Sequence, residues 1–235
     1  PGEEISVGTT EVDTTFHLVA VNIKEEIPVK EGDRQESPQR VINLIRAREG
    51  EAILGHPYWS MLSIHDILPL EGYLGLEVYN TSCFYSIAKG HSSIHWDGLL
   101  TRGRRLLGFA TDDAHWHFGE HRPNDACGAW IMVKAPHLSL EDILRAVRKG
   151  LFYSSNGPEI RDLRTQGNEI HVATSPVKTI NFVANLSHGE RFTALKSDAL
   201  TNAVYKVQGK EKYVRIECID AEGRTAWSNP IFFEQ

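Results

Sequence analysis

The sequence predicts an α/β chain that gives way to a small all-β domain. From Ser37 to about Pro158, stretches with helical spacing alternate with short apolar runs, the pattern of parallel strands joined by crossover helices. After Gly157-Pro158 the helical period disappears and short alternating segments take over, the pattern of a sandwich. The polar residues of interest also collect where apolar runs end, and in α/β barrels that edge carries the active site. With 235 residues and 41% hydrophobic content, the chain can bury one sizeable core or two smaller ones.

The elements follow in order. Ser37-Pro38 reads as a helix N-cap with Pro at the first helical position. Val41, Leu44 and Ile45 then recur at helical spacing and Gly50 supplies the stop. Ala52-Ile53-Leu54 is a short strand ending in Gly55-His56-Pro57, and Ser63 to Leu68 suggests a helix. Gly75 to Tyr79 reads as a strand, Ile94 to Leu100 as a helix, and Leu106 to Ala110 as a strand running into Thr111-Asp112-Asp113-Ala114-His115. Ala129 to Val133 is another apolar run. Ser139 to Lys149 predicts a helix: Ser139 and Asp142 resemble a capping box, Leu140, Ile143, Leu144 and Val147 share a face, and Gly150 ends it.

Beyond Pro158, Glu169–Val172, Thr179–Val183, Val204–Val207 and Tyr213–Ile219 alternate as strands, with turn residues such as Glu222-Gly223 between some of them. The boundary is expected between about Asn156 and Thr165, dividing the chain into 1–158 and 159–235.

A net charge of -6 gives no basic footprint for nucleic acid or an anionic membrane. No apolar run approaches the roughly 20 residues that span a bilayer. No signal peptide stands at the start, so the expected location is cytoplasmic. The chain opens Pro-Gly-Glu-Glu without Met, which places its expected true N-terminus upstream. Cys83, Cys127 and Cys218 are odd in number and far apart, the usage of small buried hydrophobes in a reducing compartment.

Eleven histidines focus the chemistry. Asp113-x-His115 offers a carboxylate and an imidazole, and on an extended segment residues two apart face the same side. His56 ends a different strand. His17 interrupts the apolar run Phe16-His17-Leu18-Val19-Ala20-Val21, and Glu4 stands near the start beside Glu3. Imidazole and carboxylate ligands suit zinc, manganese or iron. Asp112 is an alternative to Asp113, although only Asp113 has the two-residue spacing to His115. His117 and His121 follow the ligand loop and read as solvated, with substrate contact the alternative. His65 reads as structural. Tyr58 and Trp59 read equally as pocket wall or packing, and Glu77 and Asn80 as groups that orient ligands. Arg104 and Arg105 read as a solvated loop, with a phosphate contact the alternative.

These segments resemble the PHP (polymerase and histidinol phosphatase) superfamily, in its branch of CehA/McbA-like metallohydrolases. The matching stretches are Pro1–Ile5, Phe16–Leu18, Gly55–Trp59, Gly75–Asn80, Ala110–His115, Gly150–Pro158 and Ala226–Pro230. The resemblance implies a distorted (β/α)7 barrel with up to three divalent metals at the strand C-termini. It favours Glu4 over Glu3, with Glu4 bridging two metals, His17 and His56 completing one of those sites, and Asp113 joining Glu4 on the other. His115 would serve a third ion or the substrate, so Asp113 and His115 are the expected catalytic residues. The family opens with a His-x-His motif that does not stand before Glu4. The expectation is therefore a barrel lacking its N-terminal part, binding fewer metals, with an upstream segment or second fragment completing it. The implied activity is hydrolysis of a small molecule, first a phosphoester by a metal-activated water. The alternatives are a carbamate, ester or amide, or an inert binding module if the chain is truncated. No nucleic-acid or membrane partner is expected.

Overall fold

The computed structural model describes residues 2–7, 15–29, 36–116, 121, 123–196 and 198–233. The chain forms two compact units, one of Pro1–Leu99 with Arg105–Ala126, the other of Leu100–Arg104 with Cys127–Gln235.

The first unit is built on β1 (Gly2–Val7), β2 (Phe16–Val21), α1 (Pro38–Ala47), β3 (Glu51–Leu54), α2 (Ile64–Ile67), β4 (Gly75–Asn80), α3 (Thr81–Ile87), α4 (Ser93–Thr101) and β5 (Leu107–Thr111). Its sheet has the order β1-β2-β3-β4-β5. Strand β2 pairs antiparallel with both β1 and β3, while β3, β4 and β5 run parallel. Period-two alternation sets the two faces. Ile5, Val7, Phe16, Leu18 and Ala20 are buried on one. The pairing of Glu4 with Val19 and of Ser6 with His17 puts those four residues together on the other. Helix α1 lays Val41, Ile42 and Ile45 into the core. Ser37 precedes it in extended geometry but makes no side-chain cap bond, so Pro38 carries the start of that helix.

Helix α3 was not evident from the sequence, because Thr, Ser, Cys, Phe and Tyr are indifferent helix formers. Its ends compensate. The Asn80 side chain accepts from the Cys83 N–H at the start, and Ala88 takes a left-handed φ of 60° at the end.

The second unit contains β6 (Trp130–Val133), α5 (Leu140–Arg148), β7 (Phe152–Ser155), β8 (Ile160–Gln166), β9 (Glu169–Val177), β10 (Thr179–Ala184), β11 (Gly189–Thr193), β12 (Leu200–Lys206), β13 (Tyr213–Ile219), β14 (Thr225–Ser228) and β15 (Ile231–Phe232). A seven-stranded sheet runs β11-β10-β13-β14-β7-β6, with β15 against β13, and a three-stranded sheet runs β12-β9-β8. The sheets share one core, with Ile170, Val172 and Tyr205 from the smaller and Ile180, Phe182, Val214 and Ile216 from the larger. Helix α5 starts as expected, with the Ser139 hydroxyl accepting from the Asp142 N–H. The Asp142 carboxylate turns to His137 instead of closing the box.

One expectation changes. No (β/α)7 barrel forms among the described residues, whose architecture is mixed α/β and mostly sheet. The parallel run stops at β5, and the next strands, β6 and β7, pair antiparallel with each other while β7 pairs with β14. A barrel needs every strand in one continuous register, and these strands spend their hydrogen bonds in another sheet. The same pairing places Cys127–Gln235, with Leu100–Arg104, in the second compact unit. No described helix is long and apolar enough to cross a membrane.

Candidate metal centre

Five segments meet at the edge of the first sheet where the parallel strands end. His56 and Asp113 lie just past β3 and β5, and Glu77 and Asn80 lie on the last turnings of β4. Because β2 is antiparallel to β3, the start of β2 reaches the same edge. The Gly55 N–H donates to the His17 carbonyl at 2.8 Å. A Cβ on Gly55 would lie 3.1 Å from the His17 Cβ, so glycine permits this close approach. Glu4 is diagonal to His17 across the β1–β2 pair and reaches it on the same face.

Glu4 Oε1 lies 2.8 Å from His17 Nδ1 and 3.4 Å from His56 Nε2. His56 Nε2 is also 3.8 Å from Asp113 Oδ2. The outer nitrogen of each ring meets a hydroxyl. His17 Nε2 is 3.2 Å from Thr15 Oγ1, and His56 Nδ1 is 3.2 Å from Ser60 Oγ. A hydroxyl placed there can accept from the outer N–H, the role the outer partner plays for a ligating histidine. Glu4, His17 and His56 offer ligand atoms all within 4.8 Å of one another. Co-ligands of a tetrahedral zinc, at bonds of roughly 2.0–2.1 Å, stand about 3.3 Å apart, so the donor types and spacing fit a divalent cation.

Behind this set lies a buried polar frame. Glu77 Oε2 accepts from the His56 N–H and from the Asn80 amide, each at 2.9 Å, and Glu77 Oε1 accepts from the Thr111 hydroxyl at 2.8 Å. The Asn80 amide also donates to Asp113 Oδ2 at 3.2 Å. Asp113 itself has φ 50°, a left-handed conformation that Asp adopts more readily than most residues and that costs some strain. Buried Asp125 accepts from the His115 N–H at 3.1 Å and from the Ser82 hydroxyl at 3.3 Å, tying the loop after β5 to α3.

The electrostatics are those of a site short of positive charge. Hydrogen bonds from His17 and then His56 hold the Glu4 carboxyl far below its usual range, against its burial. For His56, burial disfavours the charged ring, but the Glu4 bond and the charges of Glu77, Asp113 and Glu4 outweigh it and the net shift is upward. Burial and then the Glu4 charge push Asp113 up, and burial pushes Glu77 up. Three carboxylates crowd one buried imidazole, and a cation would relieve that crowding.

The structure thus brings Glu4, His17, His56 and Asp113 together. His115 stands at the rim, more exposed, with Nδ1 2.7 Å from the Asp113 carbonyl and 3.7 Å from its Oδ1. Glu3 turns away and accepts from the Ile27 N–H. Asp112 accepts from the Thr81 hydroxyl. Trp59 sets its ring edge-on to His17 and His56 at 5.8 and 5.0 Å and walls a cavity of about 410 Å³. Tyr58 instead lies near His95. His65 sits exposed on α2 and His121 is exposed, while His117 lies outside the described residues. Sequence reasoning missed Ser60, Asp125 and Cys83. No local motif marks the first two. Cys83 sits between a strand end and an aromatic pair, which reads as packing.

The chain matches no protein-family model and no curated protein. Among solved structures it is similar to a two-domain protein from Bacteroides vulgatus described as containing a predicted PHP-like metal-dependent phosphoesterase. The likeness spans 100% of this chain and 74% of that one, at 13% identity and a TM-score of 0.45. At that level it says nothing about this chain's chemistry.

Proposed function

We propose that the chain is a metal-dependent hydrolase, first of all a phosphoesterase, whose cation is held by Glu4, His17, His56 and Asp113. The observation that carries this is the Glu4 carboxylate standing between two inner imidazole nitrogens whose outer nitrogens are both held by hydroxyls. The order of the matching sequence segments supports the same reading. A divalent cation bound there supplies a Lewis acid for a phosphoryl or carbonyl oxygen.

The chain's own residues do the rest. Glu77 and Asn80 hold His56 and Asp113 in place. His115 meets the Asp113 carbonyl through Nδ1, which puts its proton on that nitrogen and makes Nε2 the basic one. At the rim of the cavity it is placed to take or give a proton at a substrate oxygen. Trp59 and Ile87 supply the apolar wall.

One observation favours a second reading, hydrolysis of a carbamate, ester or amide. Among the described residues lining the cavity there is no Lys or Arg, the usual partner of a doubly charged phosphate. The test is elemental analysis of the purified chain and of His56→Ala, with turnover of p-nitrophenyl phosphate and of a naphthyl carbamate. The variant is expected to lose metal and turnover together. Unchanged metal content in His56→Ala would sink the assignment, and the preferred ester decides between the two readings.

A further inference from the structure

We propose that Cys83 is a ligand of this centre, making it a mixed imidazole, carboxylate and thiolate site that selects a zinc-like cation over manganese or magnesium. The inference rests on the metal-site reading above and adds the identity of the ion.

Cys83 does not stand alone. One ligand atom from each of His56, Cys83 and Asp113 lies within 4.8 Å of the other two. The three come from separate segments, past β3, on α3 and past β5. Cys83 forms no disulfide, is 4% exposed, and lines the same cavity as Glu4 and His17. Asn80 links the set: its side-chain oxygen accepts from the Cys83 N–H at 2.9 Å while its amide donates to Asp113 Oδ2. One side chain thus fixes both the turn that presents the sulfur and the carboxylate opposite it. A buried cysteine acting only as a small hydrophobe packs among apolar groups, whereas this one faces an imidazole and a carboxylate.

The group of His56, Cys83 and Asp113 overlaps the group of Glu4, His17 and His56 at His56. His56 Nε2 faces both Glu4 and Asp113, and its one lone pair serves one cation. The sulfur therefore joins that cation's ligand set and does not found an independent centre. As the sulfur–metal bond forms, the Cys83 thiol gives its proton to solvent. A thiolate among the ligands favours zinc and cobalt, while manganese and magnesium prefer all-oxygen surroundings.

The test is cobalt titration of the full chain carrying Cys127→Ser, which removes the exposed cysteine. Bound cobalt is expected to show an intense near-ultraviolet sulfur-to-cobalt charge-transfer band. Adding Cys83→Ser should abolish that band and weaken cobalt binding about tenfold or more, at least the size of losing a group that merely orients a ligand. Manganese binding should change far less. Cys83→Ala gives the same comparison should serine disturb the fold, and the band in the parent needs no Cys83 variant at all. Cobalt bound without the band, and with equal affinity after Cys83 is replaced, overturns the role of the sulfur and leaves the metal site standing. No cobalt bound at all overturns both.

Discussion

Replacing Glu77 separates a buried charge from the hydrogen bonds it accepts. The carboxylate is almost fully buried and accepts from the His56 N–H, the Asn80 amide and the Thr111 hydroxyl. In Glu77→Ala, Thr111 can rotate to another acceptor and Asn80 keeps Asp113, but the buried His56 N–H loses its acceptor and Asn80 loses one of two. Orphaned buried donors cost about 1–3 kcal/mol each, and the space left behind adds to that. Relief from burying a carboxylate, the effect that pushes its pKa up, offsets part. The net expectation is a loss of about 3 kcal/mol. In Glu77→Gln the amide oxygen can keep His56 and Asn80 while the NH2 donates to the Thr111 hydroxyl. All three bonds survive without the buried charge, and the change should stay within about 1 kcal/mol. Urea unfolding of metal-free protein, followed by circular dichroism, reads the difference. At m values of about 1–3 kcal/mol/M, alanine should lower the midpoint of the first unit by roughly 1–3 M, with glutamine near wild type. Equal losses in the two variants would mean that the charge, not the bonding pattern, is what Glu77 contributes.

Other perturbations probe separate links. Imidazole ligands must be neutral to bind a cation, so metal affinity should fall as pH drops through the histidine range; calorimetry giving equal affinity at neutral and mildly acidic pH would exclude histidine ligation. A Cβ on Gly108 would lie 2.6 Å from the Trp96 ring, which also donates its indole N–H to the Leu106 carbonyl. Gly108→Ala should therefore cost about 1–3 kcal/mol by overpacking, and an unchanged melting temperature would count against that packing. In the second unit, burial opposes the Glu211 carboxylate, yet the Tyr205 hydroxyl and the N–H groups of Gln208 and Lys210 hold its pKa down at about 2. A carboxyl depressed on folding stabilises above its unfolded pKa, and that contribution drains away as pH falls from about 4.5 towards about 2. Urea midpoints across that range should fall less steeply in Glu211→Gln than in the parent, and parallel curves would remove Glu211 from the acid response.

Much of the element order was legible because local signals are strong where packing is regular. The α1 and α5 spacings, the strands before His56 and Asp113, and the later alternating segments all appear where sequence reasoning put them. Which strands pair was not legible. Residues 130–133 and 152–155 are apolar segments flanking a helix, and that local pattern suits a parallel crossover as well as the antiparallel pair observed. The choice is made by β14, some seventy residues onward, whose Ala226, Trp227 and Ser228 pair with β7. No window along the chain contains that information, and a barrel inferred from local alternation inherits the error.

The grouping of the candidate residues was more legible than the sheet that carries them, and the reason is geometric. A strand with one buried face must put every second residue on the other side. In Phe16-His17-Leu18 the apolar residues claim the core, so His17 is forced onto the opposite face. The same rule applied to Glu3 and Glu4 says that only one of them can join it. Which one depends on register, and register is fixed by the partner strand: the pairing of Glu4 with Val19, two residues from His17, decides it. Asp113 and His56 need no such help, because a residue just past the end of a parallel strand lies at the sheet edge whichever way the neighbours pair. Cys83 escapes both rules. It sits on the first turn of a helix made from poor helix formers, and its place in the cavity exists only because Asn80 caps that turn and binds Asp113 at the same time. A residue placed by a capped turn leaves no periodic trace in the sequence, so only the fold brings it beside His56 and Asp113.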